Sequence, residues 1–245
     1  MTVLAVGLTA CRASHDDHGG EIAAEAPDAL DCAGPPFRQG HGDYESGLEK
    51  VTDDARKTVN SYLDQEGAGL PDLALDEAAR HGDTALFTWT EHGAVLAAFV
   101  VRDKMVDVEG HHGWGVTSYA VCDPAAWPPA KADEVGLQIW SDADGDPVPT
   151  SLVVSQRGPQ NCGYEEMTYL QLGPDREFYG TPPDDLRPYL ATTYATHTRV
   201  PADATDTGFQ RAGRELWVTG EAAYIATPDG DAERWPAPDQ PIACD

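Results

Sequence analysis

The stretch Thr84-Ala85-Leu86-Phe87-Thr88-Trp89-Thr90, then Glu91-His92-Gly93, then Ala94-Val95-Leu96-Ala97-Ala98-Phe99-Val100-Val101-Arg102, decides the fold. Two runs rich in β-branched and aromatic residues flank a short turn carrying glycine. That pattern predicts a β-hairpin. The second run is apolar at nearly every position, but it is too short for a membrane span and is bounded by turn and charge signals. It reads as a buried strand.

Working outward from the hairpin, residues 113–122 continue as a third strand, with Trp114, Val116 and Ser118 on one side and Thr117, Tyr119 and Val121 on the other. Upstream, Tyr44, Leu48, Val51, Ala55, Val59, Tyr62 and Leu63 recur at three- and four-residue spacing and predict an amphipathic helix over 44–65. Ser46 and Glu49 have capping-box spacing, Asp43 is an alternative cap, and Gly67 and Gly69 supply the stop. A short second helix is expected over 73–80. The fold class is therefore α+β, an amphipathic helix packed on a mainly antiparallel β-sheet.

Further strands are expected at 136–141, 150–156, 166–172 and 190–200, with a last hairpin at 215–218 and 222–227. The proline-rich stretch 123–135 is a candidate sub-boundary. Trp89-Thr90 before Ala94-Val95-Leu96 is echoed by Trp217-Val218-Thr219 before Ala222-Ala223-Tyr224-Ile225. Trp114 and Cys122-Asp123 are echoed by Trp235 and Cys244-Asp245. Both a duplicated unit and two unrelated hairpins would produce this echo.

The chain carries 42 acidic and 16 basic residues, a net charge of -26 over 245 residues. Such a charge repels phosphate backbones and excludes nucleic acid as a partner. It equally opposes adsorption to anionic headgroups, so membrane attachment has to be covalent.

Leu8-Thr9-Ala10-Cys11 closes a short apolar run that begins at Val3. It resembles the lipobox of bacterial lipoproteins, with Leu8 at the bulky position and Ala10 small before the cysteine. The resemblance implies that residues 1–10 are a signal peptide and that Cys11 carries lipid. It also implies that the protein sits on the outer face of the cell membrane. Only Met1 and Thr2 precede the apolar run, so a basic n-region is missing and the signal peptide reads as truncated. Residues 11–43, rich in Gly, Pro, Asp and His, read as a flexible tether ahead of a globular domain over 44–245. The segments Asp206-Thr207-Gly208-Phe209, Glu215-Leu216-Trp217-Val218 and Glu233-Arg234-Trp235-Pro236 resemble exported lipoproteins of GC-rich Gram-positive bacteria, a likeness that implies no mechanism.

With Cys11 lipidated, Cys32, Cys122, Cys162 and Cys244 remain. An even number in an oxidising compartment predicts two disulfides, with three connectivities open. The preferred pairing is Cys122 with Cys162 and Cys32 with Cys244, the second tying the ends of the domain together.

Candidate chemistry is sparse. Asp142-Ala143-Asp144-Gly145-Asp146 places alternate carboxylates on a tight turn and resembles the start of an EF-hand or dockerin calcium loop. It departs from that pattern at Pro147 and Val153, and a polar Asp/Gly hairpin turn is the simpler reading. Asp229-Gly230-Asp231 is a fainter version. The His15-to-His18 stretch, adjacent His111 and His112, paired Glu165 and Glu166, and His197 are read as solvated polar residues. No G-x-S-x-G, S-x-x-K, H-E-x-x-H, Walker A or Rossmann glycine pattern occurs. The expectation is a non-catalytic binding or envelope-associated module with an unassigned protein or wall ligand. The alternative is a wall-polymer hydrolase using Asp/Glu pairs.

Overall fold

The computed structural model describes residues 25–44, 50–66, 70–158 and 163–239. The hairpin at 84–102 is the centre of a five-stranded antiparallel sheet. Its strands are β1 (Arg38–Gly40), β2 (Asp76–His81), β3 (Thr84–Glu91), β4 (Ala94–Val106) and β5 (His112–Val121), in the order β1-β5-β4-β3-β2. His92 and Gly93 turn the hairpin with φ of 51° and 84°, the paired left-handed geometry of a two-residue loop.

One face of this sheet is covered by helix α1 (Ala55–Glu66). Ala55, Val59 and Tyr62 point into a core with Phe87, Trp89, Phe99, Val101 and Val121. The Tyr62 ring lies 5.4 Å from Tyr119 and 6.3 Å from Phe99. The helix starts later than the 44–65 periodicity predicts. The Asp54 carboxylate caps it by accepting from the Lys57 amide at 2.9 Å, and just before it Thr52 pairs in extended form with Trp114. The proposed caps at Ser46 and Glu49 lie outside the described residues.

The helix expected over 73–80 is instead strand β2. Cross-strand pairing with β3, from Asp76↔Thr88 to His81↔Thr84, outweighs the local helical preference of Asp-Glu-Ala-Ala-Arg. The tether is also corrected. Residues 25–43 are folded onto the sheet: the Ala26 amide donates to Ser118, Ala26–Ala29 forms a 3-10 turn, and β1 pairs with β5.

This strap decides the disulfide. Asp31 exchanges hydrogen bonds with Val95, and the Arg38↔Val121 register brings the strap beside the end of β5. Cys32 and Cys122 are consequently bonded, with Cα atoms 5.7 Å apart. The expected Cys122–Cys162 and Cys32–Cys244 pairs are thereby overturned, because each described partner is already taken. Adjacency across the sheet, absent from sequence spacing, selects the pair. Cys162 and Cys244 lie outside the described residues.

Beyond β5 the chain runs through a 3-10 turn and helix α2 (Pro129–Glu134) into a second core. A four-stranded meander of β6 (Leu137–Ile139), β7 (Val153–Arg157), β8 (Thr168–Leu172) and β9 (Arg176–Gly180) contributes one layer. A second five-stranded sheet contributes the other: β10 (Ala195–Thr198), β11 (Thr205–Arg211), β12 (Arg214–Val218), β13 (Ala222–Ala226) and β14 (Ala232–Pro236). Trp140, Val153, Leu170, Phe178, Leu216, Ile225 and Trp235 fill the space between them. The strand expected over 190–200 shrinks to Ala195–Thr198, because Arg187–Tyr189 forms a 3-10 turn and Leu190 bridges to Pro238.

The order of the second five-stranded sheet is β10-β14-β13-β12-β11. It matches the first sheet strand for strand: a four-strand meander with the earliest strand added beside the last. Among the described residues no helix is long and apolar enough to cross a membrane.

Candidate functional site

Three turns share one hydrogen-bonding pattern. In residues 107–111, 142–146 and 227–231 the first amide donates to the fifth carbonyl, and the glycine at position four donates to the first carbonyl. All three follow a common sequence form, an Asp or Thr first, an acid third and Gly fourth. Asp142 uses one carboxylate oxygen to accept from the amides of Asp144 and Asp146, at 2.9 and 3.0 Å. Asp107 does the same with Glu109 and His111, both at 3.0 Å. The Asp142 loop thus has the hydrogen bonding of an Asp/Gly turn. Asp144 and Asp146 are exposed, and no group of three metal-ligating side chains forms among the described residues.

Asp107 is the buried member of the set, 5% exposed. Burial by itself would raise its carboxyl. The amide and ring of His111 and the amide of Glu109 outweigh this and hold it below the usual carboxylate range. His111 therefore serves Asp107, while His112 is exposed. His197 pairs with Asp231 at 2.9 Å on the surface, tying β10 to the β13–β14 turn. Glu165 and Glu166 are exposed and face no described ion-pair partner. His15, Asp16, Asp17, His18 and Cys11, the expected lipid-attachment residue, lie outside the described residues.

The tryptophans form no open platform. Trp114 is half-buried beneath the Arg80 guanidinium, 4.8 Å from the ring centre. Trp217 is half-buried with its ring nitrogen donating to Glu215. Trp235 is buried against Gly180, and its nitrogen donates to Glu233. Gln156, Tyr169 and Tyr179 form a cross-strand row on the four-stranded sheet, with Tyr179 buried in a small cluster with Met167, Leu186 and Leu190. Gln156 donates to Tyr169, and Tyr179 donates to Glu177 at 2.9 Å. Burial, then Glu177, pushes the Tyr179 hydroxyl well above its ordinary value, and burial raises Tyr169 as well. Both hydroxyls are therefore protonated at neutral pH.

A concavity of about 440 Å³ opens between the last turn of α1 and residues 70–73. Leu63, Leu70, Pro71 and Leu73 supply its apolar wall, and Asn60, Asp64 and Asp72 its polar groups. The three polar side chains make no hydrogen bond or ion pair among the described residues. Two unpaired carboxylates and an amide over an aliphatic wall suit a cationic or hydroxyl-bearing group on a short aliphatic body. Sequence reading singled out none of the three polar residues, because Asp64 and Asp72 lie on different elements that only the folded chain brings together.

No family model, curated protein or solved structure matches this chain.

Proposed function

We propose that the protein is an exported lipoprotein, anchored through Cys11 to the outer face of a bacterial cell membrane, and that it acts as a binding or envelope-associated module. The observation that carries this reading is the Cys32–Cys122 bond. Structural disulfides persist in oxidising compartments and are rare where thiols are kept reduced. The bond lies in the strap that leads from the anchor into the first sheet. It agrees with the lipobox Leu8-Thr9-Ala10-Cys11.

Among the described residues, the α1 concavity is a surface suited to the binding role. It is large enough for a small polar ligand, and its carboxylates are not consumed by internal pairs. Mass spectrometry of a membrane fraction tests the anchor. The expected first peptide begins at Cys11 and carries a diacylglycerol mass. An unmodified peptide beginning at Met1 would overturn it.

A second reading, hydrolysis of a wall polymer, draws on Asp64 and Asp72 facing the same concavity. It requires the purified protein to release soluble fragments from wall polymer and the Asp64→Asn/Asp72→Asn variant to release none. Absence of release by the unaltered protein removes this reading.

A further inference from the structure

Basic residues are scarce in this chain and acids plentiful, 16 against 42. Each described lysine accordingly sits against a carboxylate: Lys50 on Glu109, Lys57 on Asp53, Lys104 on Asp83 and Lys131 on Glu134. Arg102, Arg157 and Arg199 lack a described partner but are exposed, where water solvates the guanidinium. Arg211, the last residue of β11, is different. It is half-buried, and its guanidinium makes no hydrogen bond or ion pair among the described residues.

Its surroundings make that state costly. Arg214 lies directly opposite, across the two-residue turn Ala212-Gly213. Like charges at such a cross-strand position destabilise one another. Arg214 is already engaged, donating to Glu233 at 2.9 Å and to the Ile225 carbonyl at 2.7 Å, and its Nε is buried without a partner. Burial lowers the proton affinity of Arg211. Asp133 pulls the other way, and the neighbouring Arg214 lowers it by less than Asp133 raises it. No carboxylate forms an ion pair with this half-buried guanidinium among the described residues.

We infer that Arg211, with Arg214 beside it, is the cationic half of an oxyanion-binding site at the β11–β12 turn. The Arg211 guanidinium fork fits a carboxylate or phosphate group through two parallel hydrogen bonds, while Arg214 is held by Glu233 and Ile225. The ligand is a small oxyanion or the oxyanion group of a larger molecule. The site lies on a different element from the α1 concavity and is independent of the anchor reading.

The folded protein is titrated with sodium phosphate and, separately, with sodium acetate at constant ionic strength. Melting temperature and the Arg211 Nε–Hε NMR resonance are followed. The expected result is a saturable shift of that resonance and a rise in melting temperature. Phosphate acting alone identifies a phosphate site, and acetate acting alone a carboxylate site. Arg211→Gln weakens the response by about tenfold or more, the loss of a charge-assisted hydrogen bond. In anion-free buffer it raises the melting temperature, because a half-buried charge without a hydrogen-bond partner is gone. Arg199→Gln, at an exposed unpartnered arginine, changes neither quantity. The proposal is overturned if neither anion gives a response or if Arg211→Gln responds like the unaltered protein. It is also overturned if Arg211→Gln melts lower in anion-free buffer, which would make the guanidinium a structural contact.

Discussion

The two five-stranded sheets have the same strand order and are stabilised by different means. The first is closed by a covalent clasp: the strap over 25–40 crosses it, Cys32 bonds to Cys122, and α1 covers its core face. The second has a four-stranded partner instead, and its core depends on close ring packing, above all Trp235 against Gly180. Their corresponding turns, between β4 and β5 and between β13 and β14, share one backbone pattern. One is held by the buried carboxylate of Asp107, the other by the partly exposed hydroxyl of Thr227. Strand order is thus compatible with quite different side-chain solutions, and each solution has its own weak point.

Removing the clasp has the largest expected effect. The bond spans 90 residues, and loop-closure entropy assigns such a crosslink about 4–5 kcal/mol. A Cys32→Ser/Cys122→Ser variant should lose that amount in urea unfolding. Hydrogen exchange should quicken in Ala97 to Val101 and stay slow in Ala223 to Ala226. Equal quickening in both sheets would mean that the two cores unfold as one unit.

Gly180→Ala attacks the other sheet. A Cβ there would lie 2.6 Å from the Trp235 ring. Displacing that ring should cost about 1–3 kcal/mol, with the exchange pattern reversed.

The turns sharpen the comparison at smaller scale. Asp107→Asn disturbs the acceptor of two amides and a histidine ring in a buried position and should cost about 1–3 kcal/mol at neutral pH. Because the carboxyl titrates below its ordinary value in the folded state, its ionic contribution is present above the unfolded pKa of about 3.9. It disappears as pH falls through the lower folded value. The stability gap between Asp107→Asn and the unaltered protein should therefore close toward pH 2, and a gap that persists there would assign it to packing. Thr227→Val, at the matching turn, should cost at most about 1 kcal/mol in thermal unfolding. Smallest of all is the expected effect of calcium on the Asp142 turn: neither calcium nor EDTA should move the melting temperature. A calcium-dependent rise abolished by Asp144→Asn would restore the cation-loop reading.

Local chemistry was legible wherever the determinant lies within one segment. The His92-Gly93 turn follows from residues that tolerate positive φ. The core face of α1 follows from the spacing of Ala55, Val59 and Tyr62. Where a segment's partner lies far along the chain, reading failed. Residues 76–81 have the composition of a helix and become a strand because β3 offers a free edge. The tryptophan echo marks equivalent strands, yet Trp89 faces the first core while Trp217 lies on the side of its sheet away from the second. The echo therefore tracks topology without matching side-chain register. Asp64 and Asp72 drew no notice, since an acid on a helix end and another in a loop carry no sequence signal of convergence.

The sequence by itself determined the acidic composition, the α+β class and the central hairpin, because each depends on residue type and near-neighbour spacing. Tertiary structure decided which cysteines meet, which acids stand unpaired around the α1 concavity and which half-buried arginine has no ion pair among the described residues. These outcomes depend on distances between residues remote in sequence. Such distances are fixed only when strands take their register and desolvate the groups between them, and composition and periodicity carry no record of that step.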